Sequence, residues 1–316
     1  MACVLITGGT GLVGTAVKTL LEAKGYEVVL LSRSKSSIKG QAHWDINAGT
    51  IDSTAIAEAD YIIHLAGAGV ADKRWSESRK QEILDSRTKS SALLVKALQE
   101  TPNKVKAVIS ASAIGWYGPD QNSHSNNAHN KDLVTKGFVE TDPSYPDFLG
   151  TTCAAWEASI APVTANTNGL QKRLVCLRTG IVLSKNGGAL KEFLKPLAVR
   201  MAAVLGNGQQ MISWIDVRDL AKMFVYAIEQ ENLSGSYNAV APSPVSNKTL
   251  TKTLASVLYG KFYITTYVPS FVLKIMLGEM SIEVLKSTTV SAQKIQDAGF
   301  VFDYPEITKS LSSLDL

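Results

Sequence analysis

One eight-residue run limits what this chain can fold into. Val4-Leu5-Ile6 reads as a buried strand, and Thr7-Gly8-Gly9-Thr10-Gly11-Leu12-Val13-Gly14 follows it and opens a helix that Gly25 ends. A lone glycine spacing carries little, whereas glycines between a strand and a helix carry a mechanism. Gly8 allows the tight turn, Gly11 lets the backbone approach a pyrophosphate, and Gly14 lets the helix pack on the strand. The free N–H groups and dipole of the helix start then hold phosphate. Thr7, Gly8, Gly9, Thr10, Gly11, Leu12, Val13 and Gly14 are therefore candidate dinucleotide contacts.

The same alternation continues. Apolar runs at 27–31, 61–65, 105–110 and 174–177 read as strands, and 77–99 carries Ile83, Leu84, Leu93, Leu94, Val95 and Leu98 at helical spacing. Near-continuous apolar strands alternating with helices predict an α/β fold, a Rossmann-type doubly wound parallel sheet covered on both faces. With 316 residues, the chain has room for a dinucleotide-binding domain over 1–180, a return segment near 207–235, and a smaller C-terminal lobe over 181–316. Pro196, Pro242, Pro244 and Pro269 punctuate that lobe.

Composition excludes other classes. Hydrophobic residues make up 45% and charged residues 19%, which argues against a disordered or coiled-coil chain. The net charge of +4 is too small to imply nucleic acid. Cys3, Cys153 and Cys176 have no paired spacing, so neither a disulfide framework nor a zinc site is expected. His124 and His129, in the Asn-rich stretch 120–131, lack ligand spacing, so no metal is expected. No apolar run approaches the roughly 20 residues of a membrane span, and the start has no leader pattern. The expectation is a cytoplasmic protein whose partner is a small-molecule substrate, not a membrane or a nucleic acid.

The end of the second strand selects between cofactors. An acidic residue about 20 positions after the glycines would take the ribose 2′-hydroxyl of NAD. Here the chain reads Ser32-Arg33-Ser34-Lys35, with no carboxylate. A planar guanidinium pairs with a 2′-phosphate, with Ser32, Ser34 or Lys35 assisting, so NADP(H) is the expected cofactor. The alternative is a solvated basic turn.

These motifs, with His64-Leu65-Ala66-Gly67 after a later strand, resemble the extended short-chain dehydrogenase/reductase superfamily. Arg74-Trp75-Ser76, Asp85-Ser86-Arg87-Thr88, Ser110-Ala111-Ser112-Ala113-Ile114-Gly115-Trp116-Tyr117-Gly118, Leu177-Arg178-Thr179-Gly180, Ser213-Trp214-Ile215 and Leu277-Gly278-Glu279-Met280 narrow the likeness. The chain is similar throughout to the "epimerase family" branch, the SDR39U1-like group with a C-terminal DUF1731-type domain, here about 266–314. The resemblance implies an NADP-binding Rossmann domain and a lobe closing over a cleft. It places Asp45 near the adenine, and Leu65, Ala66, Gly67, Ser110, Arg178, Thr179 and Gly180 along the cofactor. It also directs Arg74 and Arg87 toward the cleft. Asp216 departs from it, standing where relatives often carry His.

The superfamily's chemistry uses a Ser, a Tyr and a Lys four positions after the Tyr. Ser112 falls where the Ser is expected, but the Tyr and Lys are missing. In Thr151-Thr152-Cys153-Ala154-Ala155-Trp156-Glu157, Cys153 takes the Tyr position and Glu157 the Lys position. A glutamate raises a neighbouring acid's pKa where a lysine lowers it. Candidate acid/base groups are therefore Tyr117, Cys153 and a buried Glu157, each read against simple packing. Two functions follow. One is an NADP(H)-dependent oxidoreductase or nucleotide-sugar-epimerase-like enzyme acting on a small carbonyl or hydroxyl compound. The other is a non-catalytic NADP(H)-binding sensor.

Overall fold

The apolar strands assemble as one parallel sheet because each is apolar on both faces and must be covered twice. The computed structural model describes residues 1–34, 40–120, 137–166 and 170–314. The first part of the chain runs β1 (Cys3–Thr7), α1 (Leu12–Ala23), β2 (Glu27–Ser32), β3 (Gln41–Asp45), β4 (Thr50–Ile51), α2 (Ser53–Glu58), β5 (Tyr61–His64), α3 (Glu77–Glu100), β6 (Ala107–Ala113), α4 (Phe148–Ile160) and β7 (Arg173–Thr179). It continues through β8 (Ile181–Ser184), β9 (Gly187–Gly188), α5 (Ala189–Leu197), β10 (Met201–Leu205), β11 (Met211–Ile212), β12 (Trp214–Asp216), α6 (Val217–Glu229) and β13 (Gly235–Ala239). The last part holds β14 (Val245–Ser246), α7 (Asn247–Tyr259), β15 (Ile264–Val268), α8 (Ser270–Leu277), α9 (Ser281–Leu285), α10 (Gln293–Asp297) and α11 (Ile307–Ser312).

Among the described residues the main sheet has eight strands, ordered β13-β7-β6-β5-β1-β2-β3-β4. All neighbours are parallel except β4, which pairs antiparallel with β3. The order reverses between β1 and β5, and at such a switch point a doubly wound sheet opens a crevice at its carboxyl edge. Side chains alternate across the sheet. Val4, Ile6, Ile63, Ile109 and Val175 pack with Val17 and Leu21 of α1 and Phe224 of α6. Leu5, Ile62, Val108 and Leu174 pack with Ile56 of α2 and Leu94 and Leu98 of α3. Each fully buried Ile or Leu contributes about 1.5–3 kcal/mol.

Two expected strands are longer than their apolar runs. The one read at 105–110 spans Ala107–Ala113, and the one read at 174–177 spans Arg173–Thr179. Their polar ends pair in register, Ser112 with Arg178 and Ala113 with Thr179. Strand β13, Gly-Ser-Tyr-Asn-Ala, has little apolar signal and is fixed by its register on β7. The chain returns to the main sheet through α6 and β13, while 211–216 belongs to small accessory sheets.

The smaller lobe has its own core, with Leu183, Leu190, Trp214, Leu250 and Leu254 packed around Leu311 and Leu314 of the tail. The tail also enters the main core. Val290, Ile295, Phe300 and Phe302 pack there, and Tyr226 of α6 donates to the Ala298 carbonyl at 2.7 Å. Two acids at the start of α6 fasten it. Fully buried Asp216 accepts from Arg218 at 2.8 and 2.7 Å and from Ser310 at 2.7 Å. Asp219 accepts the backbone N–H groups of Asp303 and Tyr304 at 2.9 and 2.8 Å. Asp216, where the resemblance led one to look for His, is thus a helix cap and tail anchor.

Asp216→Ala removes the buried carboxylate that Arg218 and Ser310 share. We expect a loss of about 3 kcal/mol or more in urea unfolding and faster proteolysis around residues 303–313. A loss under about 1 kcal/mol with an unchanged cleavage pattern would show that the tail is held by other contacts.

Candidate functional site

The strand–glycine–helix run forms a cradle at the switch point. Gly8 has φ +67°, and a Cβ there would sit 2.9 Å from the Leu65 backbone. A Cβ at Gly14 would lie 2.4 Å from the Gly8 carbonyl oxygen, so the first turn of α1 packs directly on the loop. Helices α2, α3, α4, α6 and α7 each start with an Asp or Ser side chain accepting their first N–H groups. Helix α1 starts at Gly11 with no side-chain cap. Its N–H groups and partial positive charge therefore face the crevice available to an anion. Gly187 and Gly188 of the smaller lobe come up against Leu12, where a Cβ would approach to 3.8 and 3.1 Å. Thr10 is exposed and Val13 half-buried at the same edge.

Thr7 and His64 fix the two sides of the crevice. Both are fully buried. The Thr7 hydroxyl accepts from the N–H groups of Leu65 and Ala66, each at 3.1 Å, and lies 2.8 Å from His64 Nδ1. With two donors already on it, the hydroxyl donates to Nδ1, so the His64 proton sits on Nε2 and points to Ser91 Oγ at 3.1 Å. Ser91 in turn donates to the Arg87 carbonyl at 2.8 Å. Burial, and secondarily the Arg87 cation, push the His64 pKa down to about 3. His64 and Thr7 are thus framework residues that hold Leu65, Ala66 and Gly67 in place.

At the adenine side, Arg33 and Ser34 are exposed after β2, and Ser32 Oγ accepts the Ser34 N–H at 3.2 Å. Lys35 lies outside the described residues, as do His124, His129 and the stretch 121–131. Asp45 Oδ1 accepts the N–H groups of Asn47 and Ala48 at 2.9 and 3.0 Å, which shapes the turn after β3. Ser110 is buried in β6 and donates to the Ala111 carbonyl. Thr179 donates to the Leu177 carbonyl. Gly180 packs on the Ser213 carbonyl oxygen, which an added Cβ would meet at 2.6 Å.

Ser112, Tyr117 and Glu157 converge, but into a closed cluster. Glu157 Oε1 accepts from Ser112 Oγ at 2.6 Å and Arg178 Nε at 2.9 Å. Its Oε2 accepts from Arg178 Nη2 and Ser236 Oγ, both at 3.0 Å. Arg178 Nη1 reaches the Tyr117 hydroxyl and the Glu140 carbonyl, both at 3.1 Å. The guanidinium also stacks 3.6 Å from the Trp116 ring centroid. Tyr117 donates to Asn238 Oδ1 at 2.7 Å, and the Asn238 N–H donates to Glu140 Oε1 at 2.8 Å. This bidentate pair has side-chain exposures of 4% for Arg178 and 13% for Glu157, so both charges are largely removed from water.

That geometry encloses the residues of the expected relay. Tyr117 is fully buried, and burial raises its pKa to about 12. Its hydroxyl is held between Arg178 and Asn238, not in the cleft. Cys153 is buried too, its pKa raised to about 12 chiefly by burial, so it stays a thiol. Ser112, 2% exposed, gives its proton to Glu157 and has none to offer a ligand. Arg178, expected along the cofactor, pairs with Glu157. Sequence reasoning missed Glu140, Ser236 and Asn238. One signal was available: a lone acid in the apolar helix 148–160 and a lone arginine ending an apolar strand must find each other once buried.

Elsewhere along the crevice edge, a small cavity of about 50 Å³ is lined by Trp75, Asp147, Phe148, Leu149, Glu279, Ile282 and Glu283. Trp75 and Phe148 meet edge to face at 4.9 Å. Lys80 to Glu279 at 2.6 Å and Lys286 to Asp147 at 3.7 Å tie the tail to α3 and α4 here. A larger hollow of about 390 Å³ lies at Ala2, Lys24, Gly25, Tyr26 and Glu229, at the amino end of β1 and away from the carboxyl edge where such sheets bind ligands. Among the described residues, no three or more His, Cys, Asp or Glu are grouped to hold a metal ion, and no helix is long and apolar enough to cross a membrane.

Two measurements check this. Glu157→Ala should lower unfolding stability by about 3–5 kcal/mol, and Ser112→Ala by about 1.5–3, because each strips the buried Arg178 pair of a partner. A near-neutral Glu157→Ala would disprove the pair's structural role. His64 adds a pH signature. The unfolded side chain takes a proton near pH 6.5 and the folded one only near 3. Its share of stability is therefore complete above 6.5 and falls as pH drops through that window, by about 1.4 kcal/mol per unit. Urea midpoints between pH 7.5 and 4.5 should fall less steeply in His64→Leu than in the wild type.

Comparison with known proteins agrees with this geometry. Residues 4–138 match the NAD dependent epimerase/dehydratase family, and 268–314 match DUF1731, a domain of unknown function. Mouse epimerase family protein SDR39U1 is 31% identical over 315 residues, 98% of this chain and 99% of that protein. Epimerase family protein YfhF of Bacillus subtilis is 32% identical over 316 residues, 98% of this chain and 97% of that protein. The crystal structure of human SDR39U1 (isoform 2) with NADPH superposes with a TM-score of 0.84 at 29% identity, covering 99% of this chain and all of that one. Joining an NAD dependent epimerase/dehydratase region to a C-terminal DUF1731 region, this chain belongs to the epimerase family, with its Rossmann-like fold.

Proposed function

We propose that this protein binds NADP(H) across the crevice and acts as an oxidoreductase or epimerase-like enzyme on a small carbonyl or hydroxyl compound. The observation carrying the cofactor half is the uncapped start of α1 behind a loop whose Gly8 and Gly14 leave no room for a Cβ. The residues fit a dinucleotide. Gly8 to Gly14 would hold the pyrophosphate, and Arg33, exposed and with no carboxylate following β2, would take a 2′-phosphate. The relative with NADPH in its crystal structure supports the same choice. Bound NADP(H) supplies the hydride. The chain's own part is to orient the cofactor, to exclude water through the smaller lobe resting on Leu12, and to present the aromatic corner at Trp75 and Phe148 to a substrate. In this reading proton transfer does not run through Ser112, Tyr117 or Cys153, which are buried and held as described.

The same burial favours a second reading, a non-catalytic NADP(H)-binding sensor or regulatory protein. The Ser112 hydroxyl already donates to Glu157 at 2.6 Å. Following NADPH absorbance over a panel of small carbonyl compounds separates the two. Turnover supports the enzyme, and tight NADPH binding with no turnover on any member supports the sensor.

The cofactor claim has its own check. Arg33→Ala should weaken NADPH binding roughly 10- to 100-fold, the size of a charge-assisted contact, and leave NADH nearly unchanged. Equal affinity of the wild type for NADPH and NADH would overturn the 2′-phosphate assignment.

A further inference from the structure

Resting on that cofactor reading, we infer that Arg87 of α3 binds the ribose–phosphate oxygens of the nicotinamide nucleotide, supplying the positive charge that α4 lacks at position 157. The guanidinium packs against the backbone that follows β5 at the carboxyl edge of the sheet. A Cβ at Gly67, three residues past β5, would be 3.2 Å from its carbon and 3.3 Å from Nη1. It stands 5.0 Å from the Trp156 ring centroid on α4. Nη1 donates to the carbonyls of Ala68 and Ile83 at 3.0 and 2.9 Å, which fixes the fork in place. Among the described residues no carboxylate pairs with Arg87, and its Nε and Nη2 have no partner. Arg178, Arg218 and Arg79, by contrast, each face an acid.

A partly buried guanidinium without a counter-charge is unfavourable by itself, since burial penalises the charged form. Arg87 shows that penalty, its pKa lowered chiefly by burial. Its position says what compensates. In a doubly wound sheet the half built on β1 to β3 takes one nucleotide, and the half beginning with β5 takes the other. The fingerprint and Arg33 belong to the first half. Gly67, α3 and α4, between which Arg87 sits, belong to the second. Two free donors in a planar fork suit phosphate and sugar oxygens. Glu157 cannot serve there, being neutralised by Arg178.

The test compares NADPH with 2′,5′-ADP, which lacks the nicotinamide nucleotide, by titration calorimetry on the full chain. Arg87→Ala should weaken NADPH roughly 10- to 100-fold and 2′,5′-ADP less than about 2-fold. Arg87→Lys, keeping the charge without the fork, should fall between Arg87→Ala and wild type for NADPH. Arg33→Ala should weaken both ligands. Arg87→Met, which keeps an unbranched apolar stem without the charge, replaces Arg87→Ala if that variant does not fold. NADPH binding of the uncharged variant within about 2-fold of wild type, or equal losses for both ligands, overturns the assignment. A wild type that binds neither ligand overturns the cofactor reading itself, and this inference with it.

Discussion

A single buried ion pair, Glu157 with Arg178, organises the carboxyl end of half the sheet. It draws in Ser112 from β6, Ser236 from β13 and, through Arg178, Tyr117. Two charges taken out of water are tolerable only when every lone pair and donor is matched. Here they are matched: the carboxylate has four donors and the guanidinium contacts Glu157, Tyr117 and the Glu140 carbonyl. At the place that sequence analogy assigns to an acid/base relay, the cluster joins strands β6, β7 and β13 to helix α4.

The crevice depends on a different kind of order. Thr7 and His64 make a directed chain of hydrogen bonds across the switch point, and each partner fixes the proton of the next. Its effect is to set the Leu65–Gly67 backbone against the glycine loop. The tail then closes the molecule around α6, whose Asp216 and Asp219 hold segments far along the chain. The tail is therefore not a separate appendage, because its apolar residues complete both the main core and the smaller lobe's core.

The parts of this structure legible in the sequence are those written in local periodicity. Apolar runs gave the central strands, glycines the crevice, and the pattern 77–99 gave α3 to within a residue. Strands β3 and β13 were not legible, since Gln-Ala-His-Trp-Asp and Gly-Ser-Tyr-Asn-Ala take their state from a neighbour's hydrogen bonds. Motif spacing also located Ser112, Tyr117, Cys153 and Glu157 at the right end of the sheet. It could not say which way each faced.

The sequence by itself thus determined a doubly wound α/β sheet, a phosphate cradle at its switch point, and the loss of the Tyr–Lys pair. These follow from residue type and spacing along one element. Only the tertiary structure decided that Glu157 meets Arg178, that Tyr117 is sealed inside, and that Arg87 stands beside Gly67 with no acidic partner among the described residues. Those facts depend on contacts between residues 20 or more positions apart, such as Glu157 with Arg178 and Tyr117 with Asn238. No local pattern encodes which of several charged or polar partners a side chain will find once water is excluded.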